Sequence, residues 1–201
     1  MNDEIENIWK VEVGSGTNKF SPFLPNIVAF ENQIYTMDTE GVVSTIDIAD
    51  GNILWQKKIG DRSNAYLSIS GGLSIYNDII FAFSGDTIAI AFNRLNGEIL
   101  WQKSFKYPIT GGPTANGKGV IFTLLDGSLH MLEMLSGKTL WETISIPEEG
   151  GIVGSANPSM DEKIIVAPGT KDNFSVLNMD DGSFLWGDSL SGFNFETVID
   201  E

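Results

Sequence analysis

The sequence contains no cysteine and a single histidine, His130. The absence of cysteine excludes a disulfide framework, a thiolate metal site and a cysteine nucleophile. Basic residues are also few, because 12 lysines and arginines stand against 27 acidic residues, which gives a net charge of −15. Such a chain repels phosphate backbones, and we therefore expect no nucleic-acid partner.

Long apolar runs and helical periodicity are missing as well. No run of residues approaches the roughly 18 apolar residues of a transmembrane helix, so we expect no transmembrane segment. No sustained apolar stripe with a helical period occurs either, and no helix is predicted. Apolar residues nevertheless make up 42% of the chain and charged residues only 19%, which indicates a folded core.

One stretch recurs four times and organises the sequence: a glycine, three further residues and a tryptophan. The glycines are Gly51, Gly97, Gly137 and Gly182, and the tryptophans are Trp55, Trp101, Trp141 and Trp186. A fifth tryptophan, Trp9, lacks the preceding glycine. Successive tryptophans lie 46, 46, 40 and 45 residues apart, a period that is typical of propellers, solenoids and repeat arrays.

Each period contains about four short runs rich in β-branched and aromatic residues, separated by Asp-Gly and similar pairs. Such runs predict strands, and such pairs favour the positive-φ turns of tight hairpins. Four antiparallel strands in a period of this size make one β-propeller blade. We therefore predict an all-β chain with about four blades. The blades are expected at approximately residues 21–60, 68–107, 111–147 and 155–191.

The tryptophans are expected to join neighbouring blades. An indole ring can bury about 150–250 Å² and its N–H needs an acceptor, so each should wedge against the next blade and bind a backbone carbonyl. The glycine four residues earlier is predicted to supply a tight turn. Residues 1–16 look like the outer strand of a missing last blade, so Trp9 is predicted to lack a neighbour. Residues 1–201 would then form a single open arc that self-associates through its ends, with the Trp9 strand contributing.

The repeat pattern resembles the pyrroloquinoline-quinone-type propeller superfamily and, within it, the BamB-like outer-membrane protein assembly factors. Residues 9–16, 71–75, 80–101 and 154–158 carry the second likeness. The resemblance implies the N-terminal half of an eight-bladed, non-enzymatic scaffold without a cofactor, at the periplasmic face of the bacterial outer membrane. It implies as partners the barrel-forming assembly subunit and unfolded outer-membrane proteins. The lipid-bearing cysteine of the family is absent from this sequence.

The same resemblance implies that the connection after the third blade meets the barrel-forming subunit. The residues concerned are Gly151, Ile152, Val153, Gly154 and Ser155. Relatives carry an arginine where this chain has Val153, so a charged anchor is missing, and Ile152 and Val153 could equally start a strand.

A second functional hypothesis is a fragment of a quinone-dependent oxidoreductase, because that class shares the superfamily. The repeat accounts for all the tryptophans, and the sequence predicts no catalytic, cofactor-binding or metal-binding residues. His130 has no second histidine near it and is interpreted as structural. Glycine pairs at residues 71–72, 111–112 and 150–151 are not followed by the Gly-Lys-Ser/Thr of a phosphate loop and are interpreted as flexible links between blades.

Overall fold

The computed structural model of the protein describes residues 7–14, 27–59, 71–83, 87–143, 156–169 and 173–189. These residues form sixteen β-strands, and no helix occurs among them. Within the same ranges, accordingly, no helix is long and apolar enough to cross a membrane. The all-β prediction is confirmed.

The strands form four sheets of four antiparallel strands each, and in every sheet consecutive strands are paired. The first two sheets, called blades one and two, comprise β1 (Ile27–Phe30), β2 (Gln33–Met37), β3 (Val42–Asp47), β4 (Ile53–Lys58), β5 (Gly72–Tyr76), β6 (Ile79–Phe83), β7 (Ile88–Asn93) and β8 (Ile99–Ser104). Blades three and four comprise β9 (Ile109–Asn116), β10 (Gly119–Leu124), β11 (Leu129–Leu132), β12 (Thr139–Glu142), β13 (Ser159–Met160), β14 (Ile164–Pro168), β15 (Asn173–Asn178) and β16 (Phe184–Ser189). The prediction of about four four-stranded blades is thereby confirmed.

The inner strands of blades two and three are buried on both faces because the neighbouring blades cover them. In β6, Phe81 and Phe83 belong to the core shared with blade three, whereas Ile80 and Ala82 belong to the core shared with blade one. Ile121 of β10 belongs in turn to the core between blades three and four. A strand covered on both faces carries a continuous apolar run, as the sequences of β6 and β10 do.

The glycine pairs do not serve as flexible links where the structure describes them. Gly72 begins β5, Gly111 and Gly112 lie inside β9, and all three are buried. A Cβ atom on Gly72 would lie 2.3 Å from the carbonyl oxygen of Gly112, so these glycines let the first strands of blades two and three approach closely. The prediction was wrong because loops and close backbone contacts both use glycine. Gly150 and Gly151 lie outside the described residues.

Residues 7–14 are not paired into any of the four sheets. Their exposure nevertheless alternates, with Trp9, Val11 and Val13 half-buried and the residues between them exposed. The carbonyl oxygen of Val13 accepts a hydrogen bond from Ser44 Oγ of β3 at 3.5 Å. The segment predicted as the outer strand of a missing blade therefore packs its alternate side chains on blade one.

Candidate functional site

Four of the five tryptophans contact the blade that follows them in the chain. In each contact the indole Nε1 donates to the carbonyl of the residue three places before the next turn glycine. The Nε1–O distances are 2.9 Å for Trp9–Ile48, 3.0 Å for Trp55–Arg94, 2.7 Å for Trp101–Met134 and 3.0 Å for Trp141–Met179. We call each such contact a Trp–Gly joint, and it is the arrangement that the repeat predicts.

The turn glycine serves each joint in two ways. The φ angles are +74° at Gly51, +68° at Gly97 and Gly137, and +70° at Gly182, a region that L-residues rarely adopt. In addition, a Cβ atom at any of these positions would lie 2.6–2.8 Å from the ring of the tryptophan that precedes the blade in the chain. The glycine therefore forms the turn and leaves room for the indole. Sequence reasoning found only the first of these roles.

The leucine before each tryptophan is a β-bulge residue. In blade one, Trp55 pairs with Thr45 and Ile53 pairs with Ile46, so Leu54 is the extra residue. Because adjacent residues of β3 face opposite sides of the sheet, the bulge places Trp55 and Ile53 on opposite sides as well. It thereby aims the indole at the next blade. The equivalent residues in the other blades are Leu100, Leu140 and Leu185.

The two terminal tryptophans reverse the expected pattern. Trp9, predicted to lack a neighbour, stacks on Gly51 of blade one. Trp186 is instead 54% exposed, and its ring contacts Phe174 of its own blade with the ring centroids 5.6 Å apart. The prediction for Trp9 was wrong because the indole needs only the blade that follows it, and blade one follows Trp9 in the chain.

The residues predicted to bind a partner, Gly151, Ile152, Val153, Gly154 and Ser155, lie outside the described residues. Their position along the chain is clear, since β12 ends blade three and β13 begins blade four. The connection between these blades therefore remains a predicted contact surface.

A cavity of about 360 Å³ lies where blades two and three meet, beside the histidine. Lys103 of blade two and Tyr107 of the connection to blade three line it on one side, and Asp126, His130 and Glu142 of blade three line it on the other. No group of three or more histidine, aspartate or glutamate residues within the described ranges is placed to bind a metal ion. Because Lys103 is basic whereas Asp126 and Glu142 are acidic, the cavity is polar and of mixed charge.

His130 is held between a serine and a glutamate in this cavity. Its Nε2 lies 3.1 Å from Ser128 Oγ, and its Nδ1 lies 3.2 Å from Glu142 Oε2. The second contact lacks hydrogen-bond geometry, so within the described residues the buried Nδ1 has no hydrogen-bond partner. Burial lowers the pKa of His130, against the opposing effects of Glu142 and Asp126. The imidazole is consequently neutral at neutral pH.

Serine, histidine and glutamate in this order resemble a hydrolytic triad, but Ser128 is oriented for another purpose. Its hydroxyl donates to Asp126 Oδ1 at 2.6 Å. Ser183 donates to Asp181 Oδ1 at 2.7 Å in a second Asp-Gly-Ser turn, in blade four. Because the same bond forms in both turns, it is ordinary turn chemistry. The hydroxyl of Ser128 is not directed at the imidazole as a nucleophile would require.

A buried arginine connects blades one and two. Arg94 is only 4% exposed, and its Nη2 lies 2.9 Å from Glu31 and 2.9 Å from Asp78. Its Nη1 donates to Tyr35 Oη at 3.1 Å, and the guanidinium lies 4.9 Å from the centroid of the Phe30 ring. Burial raises the pKa of Tyr35 although the hydrogen bond from Arg94 works against the rise.

Sequence reasoning missed Arg94, although the repeat contains a signal. Three residues before the turn glycine, the other blades carry Ile48, Met134 and Met179. A single arginine at an otherwise apolar repeat position indicates a contact special to one pair of blades. Its acidic partners, Glu31 and Asp78, could not be predicted in the same way, because they lie in the hairpin turns of blades one and two.

Exposed leucines recur along the blades. The turn residues Leu95 and Leu135 are 61% and 68% exposed, and the four bulge leucines are each 40–50% exposed. These side chains form a repeated apolar feature at the outer strands and their turns.

Comparison with known protein families supports the resemblance of the repeat to the BamB-like assembly factors. A family model described as outer membrane protein assembly factor BamB matches residues 39–200. No curated protein sequence matches the chain.

Solved structures share the fold. BamB from Moraxella catarrhalis is similar with a TM-score of 0.70 and 17% identity over 89% of this chain, which spans 52% of that structure's chain. The computationally designed Ika4 protein gives a TM-score of 0.66 at 15% identity, over 86% of this chain and 98% of its own. The quinohemoprotein alcohol dehydrogenase ADHIIG from Pseudomonas putida HK5 gives 0.65 at 15% identity, over 84% of this chain and 34% of its own. At these identities the likeness concerns the fold alone.

Proposed function

The chain belongs to the family of the outer membrane protein assembly factor BamB, and from this premise we propose that it is a non-enzymatic scaffold subunit of the outer-membrane β-barrel assembly machinery. In this role it contacts the barrel-forming subunit and assists the insertion of unfolded outer-membrane proteins. The family match over residues 39–200 carries the proposal. We place the protein at the periplasmic face of the outer membrane.

The proposed contact with the barrel-forming subunit is the connection between blades three and four. Binding residues commonly lie on connections that a rigid scaffold positions, and the Trp–Gly joint between Trp141 and Gly182 fixes these two blades to each other. Within the connection, Ile152 and Val153 supply adjacent apolar side chains. Each could contribute about 1.5–3 kcal/mol if buried in an interface.

A capture experiment tests this contact. The purified barrel-forming subunit from the same genome is immobilised and offered the wild-type chain, the double variant Ile152→Asp and Val153→Asp, or the control Leu135→Asp. Leu135 is an apolar side chain, 68% exposed, so its replacement introduces a charge without opening the core. We expect the double variant to lose capture at least about tenfold and the control to retain it. Equal capture of all three folded proteins would place the contact elsewhere.

A second candidate function, a quinone-dependent oxidoreductase fragment, is favoured only by the shared fold of the quinohemoprotein alcohol dehydrogenase. The residues fit this reading poorly. Four tryptophans are committed to Trp–Gly joints, and the described ranges contain no acidic group of three that could hold a metal ion. Thermal melts with added pyrroloquinoline quinone and calcium decide the matter, because a ligand at a hundred times its Kd stabilises a protein by about 2.7 kcal/mol. A clear rise in Tm would favour the oxidoreductase.

A further inference from the structure

The cavity between blades two and three is formed by one continuous part of the chain. All of its lining residues lie between Lys103 and Thr143. Blades two and three each have a neighbouring blade on both sides, so the packing that shapes the cavity is internal to the stack. Small-molecule sites commonly have volumes of about 300–1,000 Å³, and the cavity, at about 360 Å³, is large enough to hold a compact ligand.

The hydrogen bonds of Ser128 determine which nitrogen of His130 carries the proton. Because the Ser128 hydroxyl donates its hydrogen to Asp126 Oδ1, it can only accept from Nε2 of the neutral imidazole. The proton therefore lies on Nε2, and Nδ1 presents a lone pair. A T-shaped contact with Phe105, whose ring centroid lies 5.1 Å from that of the imidazole, helps to hold the ring in this orientation.

This tautomer brings two hydrogen-bond acceptors together at one wall of the cavity. His130 Nδ1 and Glu142 Oε2 lie 3.2 Å apart, and no donor among the described residues satisfies the buried Nδ1. A buried acceptor without a donor is costly. Because the Glu142 side chain is 62% exposed, it can turn aside and let a donor reach both atoms. A primary ammonium fits this wall, since it has three N–H donors and a charge opposite to that of the carboxylate.

The opposite wall carries two lysines that lie near aromatic rings. Lys103 Nζ is 5.8 Å from the centroid of the Phe105 ring, and Lys106 Nζ is 5.0 Å from that of Tyr107. Lys103 uses one of its three N–H donors on Thr139 Oγ1, at 2.8 Å. Neither lysine forms an ion pair with a carboxylate of the part of the chain that the structure describes. This wall can therefore bind an anionic group.

We propose that the cavity is a binding site for a free amino acid with an aromatic side chain. The ammonium of the ligand binds between Glu142 and His130, and its carboxylate binds Lys103 and Lys106. The aromatic and apolar part of the lining, which includes Leu124, contacts the side chain of the ligand, because aromatic rings bury a large apolar area and pair favourably with one another. This inference is independent of the proposed assembly function.

The NMR signals of the His130 ring test the proposal, because this is the only histidine of the chain and its signals need no separate assignment. The probe is L-phenylalanine at about pH 7, where its ammonium and its carboxylate are both charged. N-acetyl-L-phenylalanine lacks the ammonium and L-phenylalaninamide lacks the carboxylate. We expect L-phenylalanine to shift the ring signals in a saturable manner and each control compound to bind at least about tenfold more weakly. Unchanged ring signals, or equal affinities for the three compounds, would overturn the proposal.

Two variants test the two walls separately. Glu142→Gln keeps the size of the side chain and removes its charge, whereas Lys106→Met keeps most of the stem and removes the ammonium. Glu98 and Lys163 are exposed residues outside the cavity, so Glu98→Gln and Lys163→Met are the matched controls. Each cavity variant should bind L-phenylalanine at least about tenfold more weakly than wild type, and each control should bind it equally well. Wild-type affinity in either cavity variant, with the fold checked by circular dichroism, would refute the assignment of the walls.

Discussion

The joint between blades two and three offers the sharpest test of the packing argument. Trp101 is 8% exposed, its ring centroid lies 6.0 Å from that of Phe81, and its Nε1 donates to Met134 at 2.7 Å. The substitution Trp101→Ala removes the ring that packs on Gly137 and leaves a cavity between the blades. It also leaves the Met134 carbonyl without its donor.

The expected loss follows from these contacts. A buried tryptophan replaced by alanine costs about 3–5 kcal/mol, because the transfer free energy of the ring is lost and the cavity closes only partly. The matched control is Trp186→Ala, the same substitution at the same repeat position in blade four. Since Trp186 is 54% exposed, we expect its loss to cost less than half as much. Trp9→Ala should fall between the two.

Urea unfolding followed by far-UV circular dichroism measures these free energies without relying on the fluorophore that is removed. The slope of free energy against denaturant is informative as well, because it scales with the surface exposed on unfolding. A shallower or divided transition for Trp101→Ala would indicate that blades two and three unfold separately. Equal losses for Trp101→Ala and Trp186→Ala would refute the view that the joint, and not the tryptophan by itself, stabilises the stacked blades.

Two further predictions concern the buried polar groups. The substitution Arg94→Met introduces the residue found at this repeat position in blades three and four. It should change the free energy of unfolding in urea melts by no more than about 1 kcal/mol, because apolar residues of similar size often replace buried ion pairs without loss of stability. Arg94→Ala, which leaves a cavity, should cost clearly more. His130 has a folded-state pKa below its usual value, so the unfolded chain binds the proton more readily and stability is lost as the pH falls from about 7 towards the lowered pKa. His130→Gln should lose less stability than wild type over the same pH interval in thermal melts, and parallel curves for the two proteins would contradict the burial argument.

The sequence allowed the blades to be predicted because each blade repeats local signals. Runs such as Ile79–Phe83 are apolar throughout, and turn glycines separate them at regular intervals. The start of the outer strands is harder to predict. The sequence pattern predicts strands after Trp55 and Trp101, from Gln56 and Gln102, whereas β4 begins at Ile53 and β8 at Ile99. The difference arises because a bulge before the tryptophan breaks the simple alternation by which a strand is recognised.

Contacts between blades could not be predicted to the same degree. Arg94 contacts Glu31, which lies 63 residues earlier in the chain, and the sequence around either residue does not indicate the other as its partner. The second role of Gly51 was hidden for the same reason, since the indole that needs the space comes from another part of the chain. Local patterns specify strands and turns, whereas the choice of partner depends on which faces the blades bring together.

Glycine and tryptophan of one repeat lie four residues apart and yet serve different joints. Gly97 receives Trp55 from the preceding blade, while Trp101 reaches forward to Gly137 of the following blade. Each repeat therefore contributes half of two joints, and stability passes from blade to blade through nearest neighbours. The length of a repeat is comparatively free: the shortest spacing, 40 residues between Trp101 and Trp141, still gives hydrogen bonds of 2.7 and 3.0 Å at these two indoles. Joint geometry is conserved within the chain while strand and loop lengths vary, because the glycine turn and the bulge fix the indole independently of the residues between successive copies.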